Sequence, residues 1–342
     1  MKVCLKDVAE MAGVSMMSVS RAVHNKPGVS RKVRRKILEV AEEIGYVPNR
    51  MSMQPVVSRS TMTIGVVLPY LEHTIFPTML CGIEEILSYN GYRIFLCCTY
   101  NNSVKEFHDI SALLERNVDG LIWSPATLKE SSRSAQVIMK QQCPMVFMDR
   151  LLPGIDADSV IVDDYVGAYS AVMHLIEQGC KKIAHITSDV ESWVSSERTR
   201  GYEQALIDNK MKVFRQLIMK EGTDVDAGAC GMEKLLNIGR KVDAVFCLND
   251  PVAIGACKTL QQEKIEVPGE IAVFGFSDIL ETQIAAVPIS TVFQDASGLG
   301  RQSALTLLSR IGNPNSGLPP KQQVLSTHLV LRSSTNKNSN HY

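Results

Sequence analysis

At 342 residues the chain is longer than one hydrophobic core usually supports, so two or three domains are expected. Hydrophobic residues make up 45% and charged ones 21%, which excludes a disordered or fibrous chain; no apolar leader follows Lys2 and no apolar run nears the roughly 18 residues a bilayer span needs, so a cytoplasmic protein without membrane partners is expected. The formal net charge is zero, yet residues 1–60 hold 11 Lys and Arg against 5 Asp and Glu, and such a basic head on an acidic body is suited to a polyanion.

In chain order, Leu5, Val8, Ala9 and Ala12 recur at helical spacing and stop at Gly13, a good C-terminal cap. Ser15 then caps a second short helix. On it Val19 and Val23 form the buried stripe, and Met16, Met17, Ser18 and Arg21 lie away from it. Pro27 and Gly28 break the chain, Ser30 caps again, and Val33, Ile37, Val40, Ala41 and Ile44 predict a longer amphipathic helix ending at Gly45. Two short helices joined by a glycine turn and braced by a third make a helix-turn-helix, whose second helix enters the major groove of DNA.

The run KDVAEMAGVSMMSVSRAV, followed by VSRKVRRKILEVAEEIGYVPNR, resembles the DNA-binding head of the LacI/GalR family of bacterial transcription regulators. The resemblance implies that Met16, Met17 and Arg21 read base edges, with Ser15, Ser18, Asn25, Asn49 and Arg50 among the further DNA contacts. Arg21 offers a guanine a bidentate fork, whereas the methionines read only by apolar contact, for instance with thymine methyls. The alternative, that they complete a small core, is weaker because Val19 and Val23 already supply the stripe. Two departures stand out. In MSMQPVVSRS, Pro55 replaces the leucine of the family's hinge helix, which shortens or kinks any helix there and leaves Met53, Pro55 or Val56 as minor-groove wedges. Cys4 stands where the family favours a threonine cap, which weakens that cap.

From Ile64 onward the short runs TIGVVLP, YRIFLCCTY, VDGLIW, PMVFMD, SVIVDD, KKIAHIT, VDAVFCLND, IAVFGFSD and ISTVFQD alternate with helical patterns over 80–90, 105–116, 165–178, 198–209 and 251–262. Near-continuous apolar strands separated by helices predict parallel sheets covered on both faces. Nine cysteines without a CxxC pair, and His108, His174 and His185 without ligand spacing, point to neither a disulfide framework nor a zinc site. No metal or cofactor is expected.

The resemblance continues through IGVVLP, GIEE, VDGLIW, HLIEQGCKKIAHI, ERTRGYEQAL, VDAVFCLNDPVAIGA, EIAVFGFSD and LVLRSST, and so covers essentially the whole chain. It implies an all-α helix-turn-helix domain over 1–48, a hinge over 49–60, and a two-lobed α/β domain like periplasmic sugar-binding proteins over 61–333, the lobes joined by three crossovers. The first lobe then takes about 61–160 and 292–324, the second about 161–291 and 325–333, and the polar residues 334–342 form a disordered tail. The helix carrying MLCGIEEILS is mainly core, with part of it pairing subunits into a homodimer that spans a pseudo-palindromic operator.

Open α/β sheets bind ligands beyond the carboxyl ends of their strands. Tyr70, His73, Ile75 and Phe76 follow the first strand, Asp149 and Arg150 end PMVFMDR, Trp193 lies in a loop, Arg198 sits in ERTRGY, and Asn249 with Asp250 ends VFCLND. These planar apolar and hydrogen-bonding groups suit a sugar or sugar derivative. Arg198 and Asn249 also match motif positions at which the family contacts ligand; Asp250 before Pro251 reads as a helix cap. Ser277 replaces a common family aspartate and, with Arg150 and Arg198 near the cleft, makes a more anionic effector the expectation. Neither GxxxxGK[ST], GxGxxG after the first strand, GxSxG nor HExxH occurs, and Asp163 with Asp164 reads as a cap or lobe-edge contact, so no catalytic residue is expected. The expectation is a ligand-responsive repressor, with a cytoplasmic solute-binding protein lacking DNA function as the alternative.

Overall fold

One apolar stripe per helix builds the head. The computed structural model describes residues 5–23, 26–44, 60–72, 75–238, 242–313 and 317–336, and its contacts divide the chain into two units, residues 1–61 and 62–342. In the first, α1 (Leu5–Ala12), α2 (Met16–Val23) and α3 (Arg31–Glu43) enclose Val8, Ala12, Val19, Ala22 and Ile37. Gly13, at φ +67°, reverses the chain so that Val14 N–H reaches Ala9 O at 3.0 Å, a turn that favours glycine. Ser15 Oγ accepts from Ser18 N at 3.2 Å and Ser30 Oγ from Val33 N at 3.4 Å, the expected caps.

The second unit holds two parallel sheets. The first comprises β1 (Thr63–Leu68), β2 (Arg93–Cys98), β3 (Gly120–Trp123), β4 (Met145–Met148), β5 (Asp158–Val162) and β11 (Gln322–Leu325), in the order β11-β5-β4-β3-β1-β2. The helices α4 (Ile75–Tyr89), α5 (Ser103–Glu115), α6 (Ser132–Lys140) and α12 (Ala296–Gly312) accompany it. The second has β6 (Ile183–Thr187), β7 (Ile218–Lys220), β8 (Ala244–Cys247) and β9 (Ala272–Phe274), ordered β7-β6-β8-β9. With it go α7 (Asp164–Glu177), α8 (Trp193–Asp208), α9 (Val225–Asn237), α10 (Asp250–Gln262) and the short α11 (Leu280–Ile284). Parallel pairing demands long crossovers, and the helices supply them. The chain passes between lobes after β5, after β10 (Thr291–Phe293) and after β11. No helix among the described residues is long and apolar enough to cross a membrane.

Three features differ from the sequence reading. The run ISTVFQD makes only isolated parallel bridges, Phe274↔Ser290 and Ser277↔Phe293, while its β10 pairs antiparallel with β12 (His328–Val330), as Thr291↔Val330 and Phe293↔His328. Strand β2 lies at an edge, so its Phe95 is 48% exposed. Residues 334–336, beyond the expected domain end at 333, are also among those described. Ser334 and Thr335 are buried, because Ser334 Oγ donates to Val273 O at 2.6 Å and accepts from Ser290 N at 2.8 Å. The Ser334 hydroxyl thereby satisfies backbone groups that burial would otherwise orphan.

Candidate functional site

In the head, α2 leaves Met16 56% and Met17 62% exposed, and the core closes without either. Arg21, also exposed, follows one turn later. Its backbone is held from below: Arg34 Nη1 donates to Ala22 O at 3.1 Å and to Arg21 O at 3.4 Å, a cation on the carbonyl end of α2. Gly28 lies against the Arg21 side chain, since a Cβ there would stand 2.9 Å from Arg21 Nη1. Ser15 and Ser18 share a hydroxyl hydrogen bond of 3.0 Å at the start of α2. Asn25, Asn49, Arg50, Met53 and Pro55, like Cys4, lie outside the described residues.

The second site is a cleft at the carboxyl ends of both sheets, with about 650 Å³ of empty space including its open mouth. One lobe contributes Tyr70, Ile75, Phe76, Asn101, Asp149 and Arg150, the other Ser188, Ser192, Arg198, Asn249, Ser277 and Gln294. Leu128 N donates to Glu191 O across the lobes at 3.2 Å. Of the expected residues, Tyr70, Ile75, Phe76, Asp149, Arg198, Asn249 and Ser277 therefore share one cavity. His73 lies outside the described residues. Trp193 is not in the cavity wall and is not a loop residue: Ser192 caps α8 through a mutual bond with Ser195, which makes Trp193 the first helical residue and leaves Ser192 and Val194 to line the cavity.

Arg198 is clamped from three sides. Nε and Nη2 both meet Asp164 Oδ1 at 2.8 Å, Nη1 donates to Leu248 O at 2.6 Å, and the guanidinium lies 3.5 Å from the Phe276 ring centroid. Burial pushes the Asp164 carboxyl up to about 7 even though Arg198 pulls it down, because desolvating an ion pair can cost more than its attraction returns. Neighbouring Asp163 is the cap, accepting from Val166 N at 2.9 Å. Arg150 Nη1 donates to Asn101 Oδ1 at 2.8 Å and Pro125 O at 3.2 Å.

The helix cap expected at Asp250 belongs to Asn249. Asn249 Oδ1 accepts from Val252 N at 3.0 Å while its amide donates to Thr223 O at 2.8 Å. Fully buried Asp250 instead accepts from Ile279 N at 2.9 Å and from Thr291 Oγ at 2.6 Å. Burial raises its carboxyl to about 6. It braces the turn in which Ser277 and Asp278 take φ of +126° and +56°, a conformation that side chains other than glycine rarely hold. Ser277 Oγ accepts from Gln294 Nε2 at 2.9 Å.

Among the described residues, six buried side-chain atoms have no hydrogen-bond partner: Thr99 Oγ1, Ser124 Oγ, Arg150 Nε, Asp164 Oδ2, Thr187 Oγ1 and Gln294 Oε1. All sit at, or within two residues beyond, the carboxyl end of a strand, namely β2, β3, β4, β5, β6 and β10 in turn. Buried polar atoms are otherwise almost always paired. Of the six, Arg150 and Gln294 line the cavity, one from each lobe; Thr99, Ser124, Asp164 and Thr187 lie at the same strand ends but outside its lining. Asn101, Ser188 and Gln294 escaped the sequence reading, although they too directly follow LCCTY, IAHIT and ISTVF.

Comparison with known proteins places both units. Residues 4–49 match the profile of bacterial regulatory proteins of the lacI family, and residues 172–335 that of the periplasmic binding protein-like domain. The HTH-type transcriptional regulator GalR of Escherichia coli is 31% identical over 330 residues, 96% of this chain and 95% of its own. The ribose operon repressor of Haemophilus influenzae is 29% identical over 96% of this chain and 98% of its own. Among solved structures, the Lac repressor dimer bound to operator and the anti-inducer ONPF superposes with a TM-score of 0.83 at 25% identity, covering 98% of this chain and 99% of that one. The regulator CelR in complex with cellobiose gives 0.74 at 27% identity, over 97% and 99%. A basic helix-turn-helix head joined to a two-lobed ligand cleft, matched end to end by these regulators, means that the chain belongs to the LacI family of bacterial transcription regulators.

Proposed function

We propose that this transcription regulator is a dimeric repressor that reads a pseudo-palindromic operator with Met16, Met17 and Arg21 of α2, and whose operator affinity is set by a sugar or sugar derivative held between the lobes. The observation that carries the effector half is that two buried polar atoms without partners, Arg150 Nε and Gln294 Oε1, belong to residues lining the cleft from opposite lobes. A ligand that satisfies atoms on both sides favours the closed arrangement of the lobes, and so biases whichever state of the dimer contains it. In support, the Lac repressor structure holds operator and ONPF, and another family structure, from Enterococcus faecium, holds ribose.

Operator selection from a random duplex library tests the DNA half. An inverted repeat is expected, with half-sites about one helical turn apart. Arg21→Ala should cost about 1–3 kcal/mol and relax the preference for guanine at one position. Met17→Ala should change the selected base where the methionine touches; an unchanged consensus would remove Met17 as a reader. Affinity should fall steeply with salt, and a salt-independent or absent interaction would favour the solute-binding reading instead.

A further inference from the structure

The two cleft arginines are not equivalent. Arg198 spends its whole fork on Asp164, Leu248 O and the Phe276 ring, so its charge is matched within the protein. Arg150 is 7% exposed, yet its hydrogen bonds all leave from Nη1 and all end on neutral oxygens, those of Asn101, Pro125 and Ala126. Its Nε is buried and donates to nothing. The adjacent Asp149, which also lines the cavity, places Oδ2 3.8 Å from Nε, an ion pair that is beyond hydrogen-bond reach. A buried guanidinium without a hydrogen-bonded counter-ion is costly by itself.

Arg150 is also held in place. The Pro125–Ala126 segment that receives Nη1 is pinned from behind by Glu106, whose Oε2 accepts from Ala126 N at 2.7 Å and Trp123 Nε1 at 2.9 Å. The unused Nε and Nη2 edge is thus fixed beside the cavity that Arg150 lines, and this edge has the spacing of two carboxylate oxygens. The far wall carries Ser277 bonded to Gln294, a neutral pair with no carboxylate to repel an anion. A neighbouring pocket that shares Tyr70, Asn101, Ser188 and Thr223 with the cavity carries Glu72, Asp189 and Asp224, a negative group that opposes a doubly charged phosphate more than a singly charged carboxylate.

Resting on the reading of the cleft as an effector site, we propose that the effector is a sugar acid whose carboxylate is held by the Nε and Nη2 edge of Arg150, with its hydroxyls toward Gln294 Oε1. The full chain would be titrated calorimetrically with glucuronate, galacturonate and gluconate, with glucose and galactose, and with the two hexose 6-phosphates. At least one acid should bind more tightly than its neutral parent by roughly tenfold or more, the range of a charge-assisted hydrogen-bond pair. Arg150→Gln should abolish that preference. Ser277→Asp, which leaves Arg150 intact and adds a negative wall, should also reduce it, and this variant carries the test if Arg150→Gln does not fold. Equal or tighter binding of the neutral parents, tightest binding of a 6-phosphate, or binding of no acid overturns the proposal. Operator binding by the same preparation decides the regulator reading separately, so a failure of one is not mistaken for a failure of the other.

Discussion

His185 shows how little room the second lobe leaves for charge. The imidazole is fully buried between the rings of Tyr202 and Phe246, each with its centroid 5.1 Å away. Nδ1 lies 2.9 Å from Phe246 O and Nε2 3.1 Å from Thr199 Oγ1, so a carbonyl fixes the proton on Nδ1 and the hydroxyl donates to Nε2. Burial holds the group down to about 4. Because the folded value lies below the unfolded one of about 6.5, the unfolded chain takes up a proton first as pH falls. The contribution of His185 is therefore intact above pH 6.5 and lost progressively toward pH 4, about 3 kcal/mol over the window. Asp164 and Asp250 have raised carboxyls and act in the opposite sense, so the test is a difference. Wild type should lose more stability between pH 6.5 and 4.5 than His185→Gln does, as followed by thermal unfolding; parallel curves would mean that the ring takes up a proton without leaving the core. From sequence, His185 was legible only as a histidine without metal-ligand spacing. Its partners Thr199 and Phe246 lie far along the chain, and no local pattern connects them.

At the scale of elements, two of the helices that sequence periodicity missed, α9 and α12, carry glycines that make close contacts. Helix α12, ASGLGRQSALTLLSRIG, and α9, VDAGACGMEKLLN, read as poor helix formers because glycine costs backbone entropy. In the fold that cost is offset by close approach. A Cβ on Gly300 would lie 2.0 Å from Met79 O, and one on Gly82 would lie 2.2 Å from Ser297 O, so α4 and α12 cross backbone to backbone; Gly228 and Gly255 do the same for α9 and α10. Gly300→Ala should therefore destabilise by about 1–3 kcal/mol through overpacking, a fall of several degrees in Tm. Gly312→Ala, whose Cβ would meet nothing within 4 Å, is the control and should be neutral or slightly stabilising. Equal melting of the two variants would show that α4 and α12 separate freely. The strands of the sheet centres were legible because burial on both faces makes them continuous apolar runs, whereas β7, three residues long, and β11, alternating exposed and half-buried, carry too weak a pattern.

For the whole molecule, function requires that the cleft and the head share one equilibrium. The cleft lies between two lobes joined by three chain crossings, and Leu128 N donates to Glu191 O between them at 3.2 Å. Two of the cleft's lining residues, Arg150 and Gln294, carry buried atoms without partners on opposite lobes, and an effector that partners both binds the closed form better than the open one. That differential is the only free energy available to alter operator affinity. Whether closure releases or recruits DNA, the linkage is reciprocal: if effector changes operator Kd by some factor, operator must change effector Kd by the same factor. For a working regulator this factor is about 5–150-fold. Calorimetry of an effector that the panel identifies, on the full chain with and without saturating operator, should give two values of Kd differing by that amount and matching the change in operator Kd by anisotropy. Identical values in the two titrations would mean that the cleft binds its ligand without informing the head, and the protein would then regulate through its abundance or through a partner at another surface.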